Sequence, residues 1–248
     1  MKIDALNNYL NTLLQPERFS DYCPNGLQVE GKPDISKIVT GVSASMAFLQ
    51  AALQANADAV LVHHGYFWRG EPLPIIGIKK RRIQLLLQHD INLFAYHLPL
   101  DMHPELGNNV MLAKQLGLAV TSWAGEKNML AVVELNQAQT LKTFALMIEN
   151  KLQRKPQVIG DLQKPIKRIA ICTGAAQGYI EQAVAVGADC YISGEISEQT
   201  VHVARESGMS YLSAGHHATE RYGIQALGQH LAQKFGLQHE FIDSDNPV

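Results

Sequence analysis

Several marks of common protein classes are missing from this chain. Cysteine is scarce: Cys23, Cys172 and Cys190 are far apart and show no C-x-x-C spacing, so neither a zinc knuckle nor a redox pair is indicated. There is no excess of charge of one sign. A net charge of -2 gives no nucleic-acid or membrane footprint. The one basic run, Lys79 to Arg82, is short and reads as a solvated helix face. No apolar run is long enough to span a bilayer. The opening MKIDALNNYLNTLL lacks the apolar core of a signal peptide; Ile3, Leu6, Leu10, Leu13 and Leu14 fall at helical spacing instead. A cytoplasmic location is the expectation. Low-complexity stretches and flexible linkers are absent. So are a G-x-S-x-G nucleophile elbow, a dinucleotide fingerprint and a phosphate-binding loop with its lysine.

What remains is ordinary globular composition: 248 residues, 46% hydrophobic and 18% charged. Such a length can bury a sizeable core and permits one large domain or two small ones. An internal repeat favours two. Residues 37–64 (KIVTGVSASMAFLQAALQANADAVLVHH) align without a gap on 168–195 (RIAICTGAAQGYIEQAVAVGADCYISGE), at an offset of 131. Each reads as strand, small-residue turn, helix, then Ala-Asp opening a second strand. At an offset of 119, INLFAYHLPLD aligns on SYLSAGHHATE, which places His97 on His216 and Asp101 on Glu220.

Strands alternating with helices predict an α/β fold of two similar lobes from an internal duplication, with largely parallel strands flanked by helices. The first repeat is expected over residues 1–118 and the second over 166–248. A short β-α-β insert is expected at 119–165, with NMLAVVEL and PQVIGD as its strands. The two lobes are expected to pack into one globular unit.

The chemistry-bearing residues sit where strands end. His63 and His64 close the apolar run ADAVLV, and ligands in open α/β sheets collect at the carboxyl ends of strands. Neighbours on a strand point to opposite faces. The pair could serve two ions, one each, or one ion after the backbone turns at Gly65; the alternative is two buried imidazoles satisfied by hydrogen bonds. His216 lies just before a helical stretch that begins ATERYG, and Glu220 falls in its first turn, where an acid also suits the helix dipole. In the first copy Pro99 and Pro104 predict a loop around Asp101. Glu195 takes the position of His64 in the second repeat, where it could support a ligand from behind or contact substrate, and is also a candidate proton-moving acid. The turns TGVSAS and CTGAAQG allow phosphate binding or tight strand–helix packing. Surface or packing roles are expected for His89, His103, His202, His230 and His239.

These residues resemble the GTP cyclohydrolase 1 type 2 family, also called the NIF-three-like family. The matching pieces are DYCPNGLQVEG (21–31), VHHG (62–65), HLPLD (97–101) with LGNN (106–109), SGE (193–195) and AGHHATER (214–221), in order along nearly the whole chain. The short insert resembles the compact bacterial form. The resemblance implies two metal ions in a cleft between two α/β lobes, with His63, His64, Asp101, His216 and Glu220 as ligands. His97 is then implied to orient Asp101 or a substrate rather than to ligate. The family often has proline after the histidine pair, whereas this chain has Gly65, Tyr66, Phe67 and Trp68. A homohexamer is also implied.

Imidazole and carboxylate donors suit Zn, Mn, Fe or Co without choosing among them. Three neutral imidazoles and two carboxylates around two divalent ions would carry about +2, which favours a small anionic substrate, phosphate included; the resemblance implies a nucleotide. The expected activity is hydrolysis by metal-bound hydroxide, as in opening the imidazole ring of GTP, or attack on another phosphorylated small molecule. His97 and Glu195 are the expected catalytic groups. The alternative is a metal-binding regulatory or interaction protein with no turnover.

Overall fold

The computed structural model describes residues 1–248. By their contacts they divide into two compact units: Met1–Gly107 with Gly223–Asp245, and Asn108–Tyr222 with Asn246–Val248.

The first unit opens with helix α1 (Ile3–Leu14). Its buried face is Ile3, Leu6, Leu10 and Leu14, the predicted stripe without Leu13, which is half-buried; each of the four contributes roughly 1.5–3 kcal/mol of apolar burial. It stops at Gln15, which takes the left-handed conformation ahead of Pro16. Strands β1 (Gly26–Val29) and β2 (Lys37–Ser43) follow, then helix α2 (Met46–Gln54). Ser45 caps α2 by accepting the Phe48 N–H at 3.2 Å. Strand β3 (Ala59–His64), helix α3 (Gly77–Gln88), strand β4 (Asn92–Ala95) and the one-turn helix α4 (Leu98–Asp101) complete this stretch.

The second unit holds helix α5 (Asn108–Gln115), strands β5 (Val120–Ala124) and β6 (Leu130–Thr140), helix α6 (Leu141–Leu152), and strands β7 (Gln157–Ile159) and β8 (Pro165–Ile171). Helix α7 (Ile180–Ala185), strand β9 (Cys190–Ser193), helix α8 (Glu198–Ser207) and strand β10 (Ser210–Ser213) follow. Helix α9 (His216–Phe235) begins in the second unit, and its residues from Gly223 belong to the first, as does the last strand, β11 (Gln238–Phe241). No helix is long and apolar enough to cross a membrane.

Each unit has its own sheet, flanked by helices. The first runs β1-β4-β3-β2-β11, parallel except for β1. The second runs β5-β6-β8-β9-β10-β7, in which only the β8–β9 and β9–β10 pairings are parallel. The antiparallel strands come from the predicted insert. It contributes one strand more than expected, β5, whose half-exposed side chains gave little apolar signal.

The duplication is visible atom by atom. Asp58 Oδ2 accepts the N–H groups of Ser36 and Lys37 at 2.7 and 2.9 Å. Asp189 Oδ2 accepts those of Lys167 and Arg168 at 2.9 and 2.8 Å. The Ala-Asp signature is thus a side-chain clasp on the strand beside it. Ile38 faces Ala59 and Ile169 faces Cys190, so the offset of 131 holds between strands. In the third strand Asn92 faces Ala59 and Ser210 faces Cys190, an offset of 118 rather than the 119 that aligns the histidines.

Two stretches fall elsewhere than the repeat boundaries suggested. Leu112, Ala113 and Leu116, at the end of the expected first repeat, pack in a core of the second unit with Phe144 and Ile148. Ile224, Leu227 and Leu231, in the expected second repeat, pack in a core of the first unit with Leu6 and Leu10. The apolar faces of α5 and α9 decide where those residues sit, and a sequence boundary does not record that.

Candidate functional site

In the first unit β3 delivers both histidines at its carboxyl end. His63 is fully buried and His64 half-buried, with ring centroids 4.6 Å apart. His63 Nδ1 lies 2.9 Å from the Tyr96 carbonyl oxygen. A carbonyl only accepts, so Nδ1 carries the proton and Nε2 turns to Asp101 Oδ1 at 3.4 Å. A ring nitrogen facing a carboxylate oxygen suits a shared proton or cation. His64 Nδ1 lies 3.0 Å from Ser43 Oγ on the neighbouring strand.

The predicted loop around Asp101 is a helical turn. Pro99 sits in its first turn, where an N–H has no helical partner, so proline is tolerated. The Asp101 N–H bonds to the His97 carbonyl at 3.1 Å. The two side chains nevertheless serve different partners. Asp101 meets His63, whereas His97 Nδ1 meets Asp21 Oδ1 at 2.7 Å.

Asp21 lies within the DYCPNG stretch but is not among the expected site residues. Its carboxylate also accepts the N–H groups of Tyr22 and Leu98 at 2.6 and 2.9 Å and the Asn25 amide at 2.9 Å. Asn25 Oδ1 in turn accepts the His97 N–H at 2.7 Å. Burial works against the Asp21 charge, but the hydrogen bond and charge of His97, with Asn25 and the Tyr22 N–H, outweigh it and hold the carboxyl at about 2. His63, His64 and His97 each bring a ring nitrogen to within 4.8 Å of the other two.

In the second unit His216 is the first residue of α9, one residue inside the helix rather than before it. Glu220 follows one turn later on the same face, with Oε2 3.2 Å from His216 Nε2. Glu195 Oε1 lies 2.7 Å from His216 Nδ1, and Gln177 donates to the other Glu195 oxygen at 3.4 Å. Burial alone would lower the His216 pKa; the hydrogen bonds and charges of Glu220 and Glu195 outweigh it and raise it to about 9. Glu195 therefore faces the back of the His216 ring, as a carboxylate does behind a ligating imidazole.

The turn CTGAAQG serves packing. Gly174 has a φ of +69°, and a Cβ there would run into Glu220 Oε1. Thr219 Oγ1 accepts the Gly174 N–H at 3.1 Å and donates to the His216 carbonyl at 2.9 Å. Ser193 Oγ donates to the Gly174 carbonyl at 3.1 Å. In the first unit Gly41, within β2, is likewise a packing glycine, since a Cβ there would overlap the Phe48 ring.

The shift in register explains why the two motifs differ. His216 enters its helix and faces Glu220, an i, i+4 pair. His97 precedes its helix, has non-helical φ and ψ of -95° and -105°, and turns to Asp21 instead. Of the remaining histidines, His230 bonds to the Tyr9 hydroxyl at 2.6 Å and His239 to Thr40 Oγ1 at 2.8 Å, in keeping with packing roles.

Histidine and acid side chains are thus gathered into groups that could hold metal ions. Known proteins share the whole frame. A Pseudomonas aeruginosa protein named GTP cyclohydrolase 1 type 2 homolog is 55% identical over 238 residues, 95% of this chain and 94% of its own length. A Haemophilus influenzae protein of the same name is 52% identical over 247 residues, 98% of each chain. Among solved structures, ybgI, described as of unknown function, superposes with a TM-score of 0.96 at 48% identity over the full length of both chains. A crystal structure from Thermus thermophilus gives 0.91 at 35% identity, again over both full lengths. The Duf34/NIF3 (NGG1p interacting factor 3) family matches residues 1–247, and the chain belongs to that family.

Proposed function

We propose that the chain is a di-metal-dependent hydrolase of an anionic small molecule, a nucleotide foremost. One observation carries the reading. His63 and His216 each place Nδ1 on a fixed acceptor, the Tyr96 carbonyl and Glu195, and each turn Nε2 to a carboxylate, Asp101 and Glu220. Histidines held from behind in this way are pre-oriented to ligate. The proposed ligands are His63, His64, Asp101, His216 and Glu220, with Zn, Mn, Fe or Co as the fitting ions. Two such ions would supply an activated water and a clamp for anionic oxygens.

The protein's own groups do the rest. Glu195 fixes the His216 ring. Asp21 accepts the hydrogen bond of the His97 Nδ1–H, which leaves Nε2 to receive or return a proton beside His63 and His64. The name of the relatives supports GTP as the first substrate to try; the fold alone selects none.

The test is metal analysis followed by turnover. Protein purified without added metal should retain near-stoichiometric metal and lose it in His216→Ala. Metal-loaded protein should release formate or phosphate from a panel of nucleotides and phosphoesters, and His63→Ala should abolish that while staying folded. Equal metal in wild type and His216→Ala would sink the site. A wholly inactive panel, with assembly or thermal stability lost in His63→Ala, would favour a metal-binding protein without turnover.

A further inference from the structure

The loop after the histidine pair, Gly65 to Glu71, is held far more firmly than an exposed connection requires. Gln28 brackets Tyr66: its Oε1 accepts the Tyr66 N–H at 2.7 Å and its Nε2 donates to the Tyr66 carbonyl at 3.1 Å. The Tyr66 hydroxyl donates to the Ala44 carbonyl at 2.8 Å. Arg69 donates its N–H to the Tyr22 carbonyl at 2.6 Å and its guanidinium to the Asp21 carbonyl at 2.8 Å. Gly65 admits no side chain, because a Cβ would meet Gln28 and Ala95. Phe67 is held at a φ of 66°, an unfavourable region for an aromatic residue. Strain of this kind persists where surrounding contacts over-determine it, and it gathers at functional sites.

The residue that this framework presents is Trp68. Its N–H bonds to Glu71 at 3.1 Å and its indole Nε1–H to the Gly65 carbonyl at 3.2 Å. The ring is half-buried. Its centroid lies 5.0 Å from the His97 ring at 82°, and 5.9 Å from the His64 ring. The indole is thus a rigid, partly exposed aromatic surface beside the histidine cluster, with its polar edge already satisfied. A flat surface of that kind recognises another flat ring by stacking.

We propose that Trp68 is the platform on which the planar heteroaromatic ring of the ligand stacks, so that the ligand class is a nucleotide and not a base-free phosphate. That the anionic end goes to the histidine and acid ligands rests on the function proposed above; the stacking does not.

The chain has two tryptophans, so Trp123→Phe leaves Trp68 as the sole indole reporter. In that variant GTP and GMP should quench the emission, while ribose 5-phosphate and tripolyphosphate at equal ionic strength should not. In the otherwise unchanged chain, Trp68→Ala should weaken GTP binding about tenfold or more and leave tripolyphosphate affinity and metal content unchanged, with Trp68→Phe in between. Equal responses to base-bearing and base-free ligands, or unaltered GTP affinity in both Trp68 variants, would overturn the proposal. Metal content and tripolyphosphate affinity report separately on the metal reading. Their failure with base-specific quenching intact would leave the platform standing.

Discussion

His97 donates its Nδ1 proton to Asp21 across 76 positions of sequence, at 2.7 Å, and that bond decides which ring nitrogen faces the histidine cluster. Asp21→Asn keeps the shape but puts an amide where four donors converge. The change should cost about 1–3 kcal/mol in urea denaturation, because at least one buried donor then meets another donor. Nitrogen chemical shifts of the His97 ring should show loss of the Nε2 lone-pair tautomer. An unchanged ring tautomer would remove Asp21 from this role.

Acid sensitivity should follow from the same carboxylate. Its pKa is held near 2 against an ordinary 3.8, so its stabilisation is complete above about pH 4 and is lost as pH falls through 2. The contribution at neutral pH is about 2 kcal/mol. Denaturation midpoints of the parent and Asp21→Asn should therefore converge between pH 4 and 2.

In metal-free protein the His216 ring behaves the opposite way. Its pKa is raised to about 9 from 6.5, so the stabilisation is present below 6.5 and disappears as pH climbs through 9. Glu195→Gln should flatten that loss. The same variant should weaken metal binding about 10–100-fold in a competition titration, since the imidazole loses the anion behind it. A full-strength site in Glu195→Gln would show that the ring is oriented by other means.

Gly174→Ala combines a positive φ with a direct collision on Glu220. A loss of at least ~1 kcal/mol is expected, with metal affinity falling in parallel because the displaced group is a proposed ligand. Gly178→Ala, which meets nothing within 4 Å, is the control and should change neither. Thermal melts and metal titrations of the two variants check both outcomes.

Much of this architecture was legible because local signals agree with it. The Ala-Asp pairs marked the two strand clasps at Asp58 and Asp189, and apolar runs ending in His63 and His64 marked a strand terminus. The four-residue spacing of His216 and Glu220 became one helical turn. Asp21 stayed hidden because its partner is distant in sequence and an isolated aspartate beside Tyr22 reads as loop. Repeat position singles out Glu195, but its place behind His216 is a tertiary fact. The return of α9 to the first core was hidden for the same reason: Ile224, Leu227 and Leu231 declare an apolar face without declaring against what.

A single added residue before α9 has given two descendants of one segment separate jobs. Gly215 fills that step with a φ of +100°, in contact range of Arg154. Removing it would turn the start of α9 by about 100° around its axis and carry His216, with Glu220 on the same face, away from Glu195. Loop length at this point, more than the identity of any side chain, keeps the halves from being interchangeable, so grafting residues 96–101 in place of 214–220 would transplant the letters of the motif without its geometry.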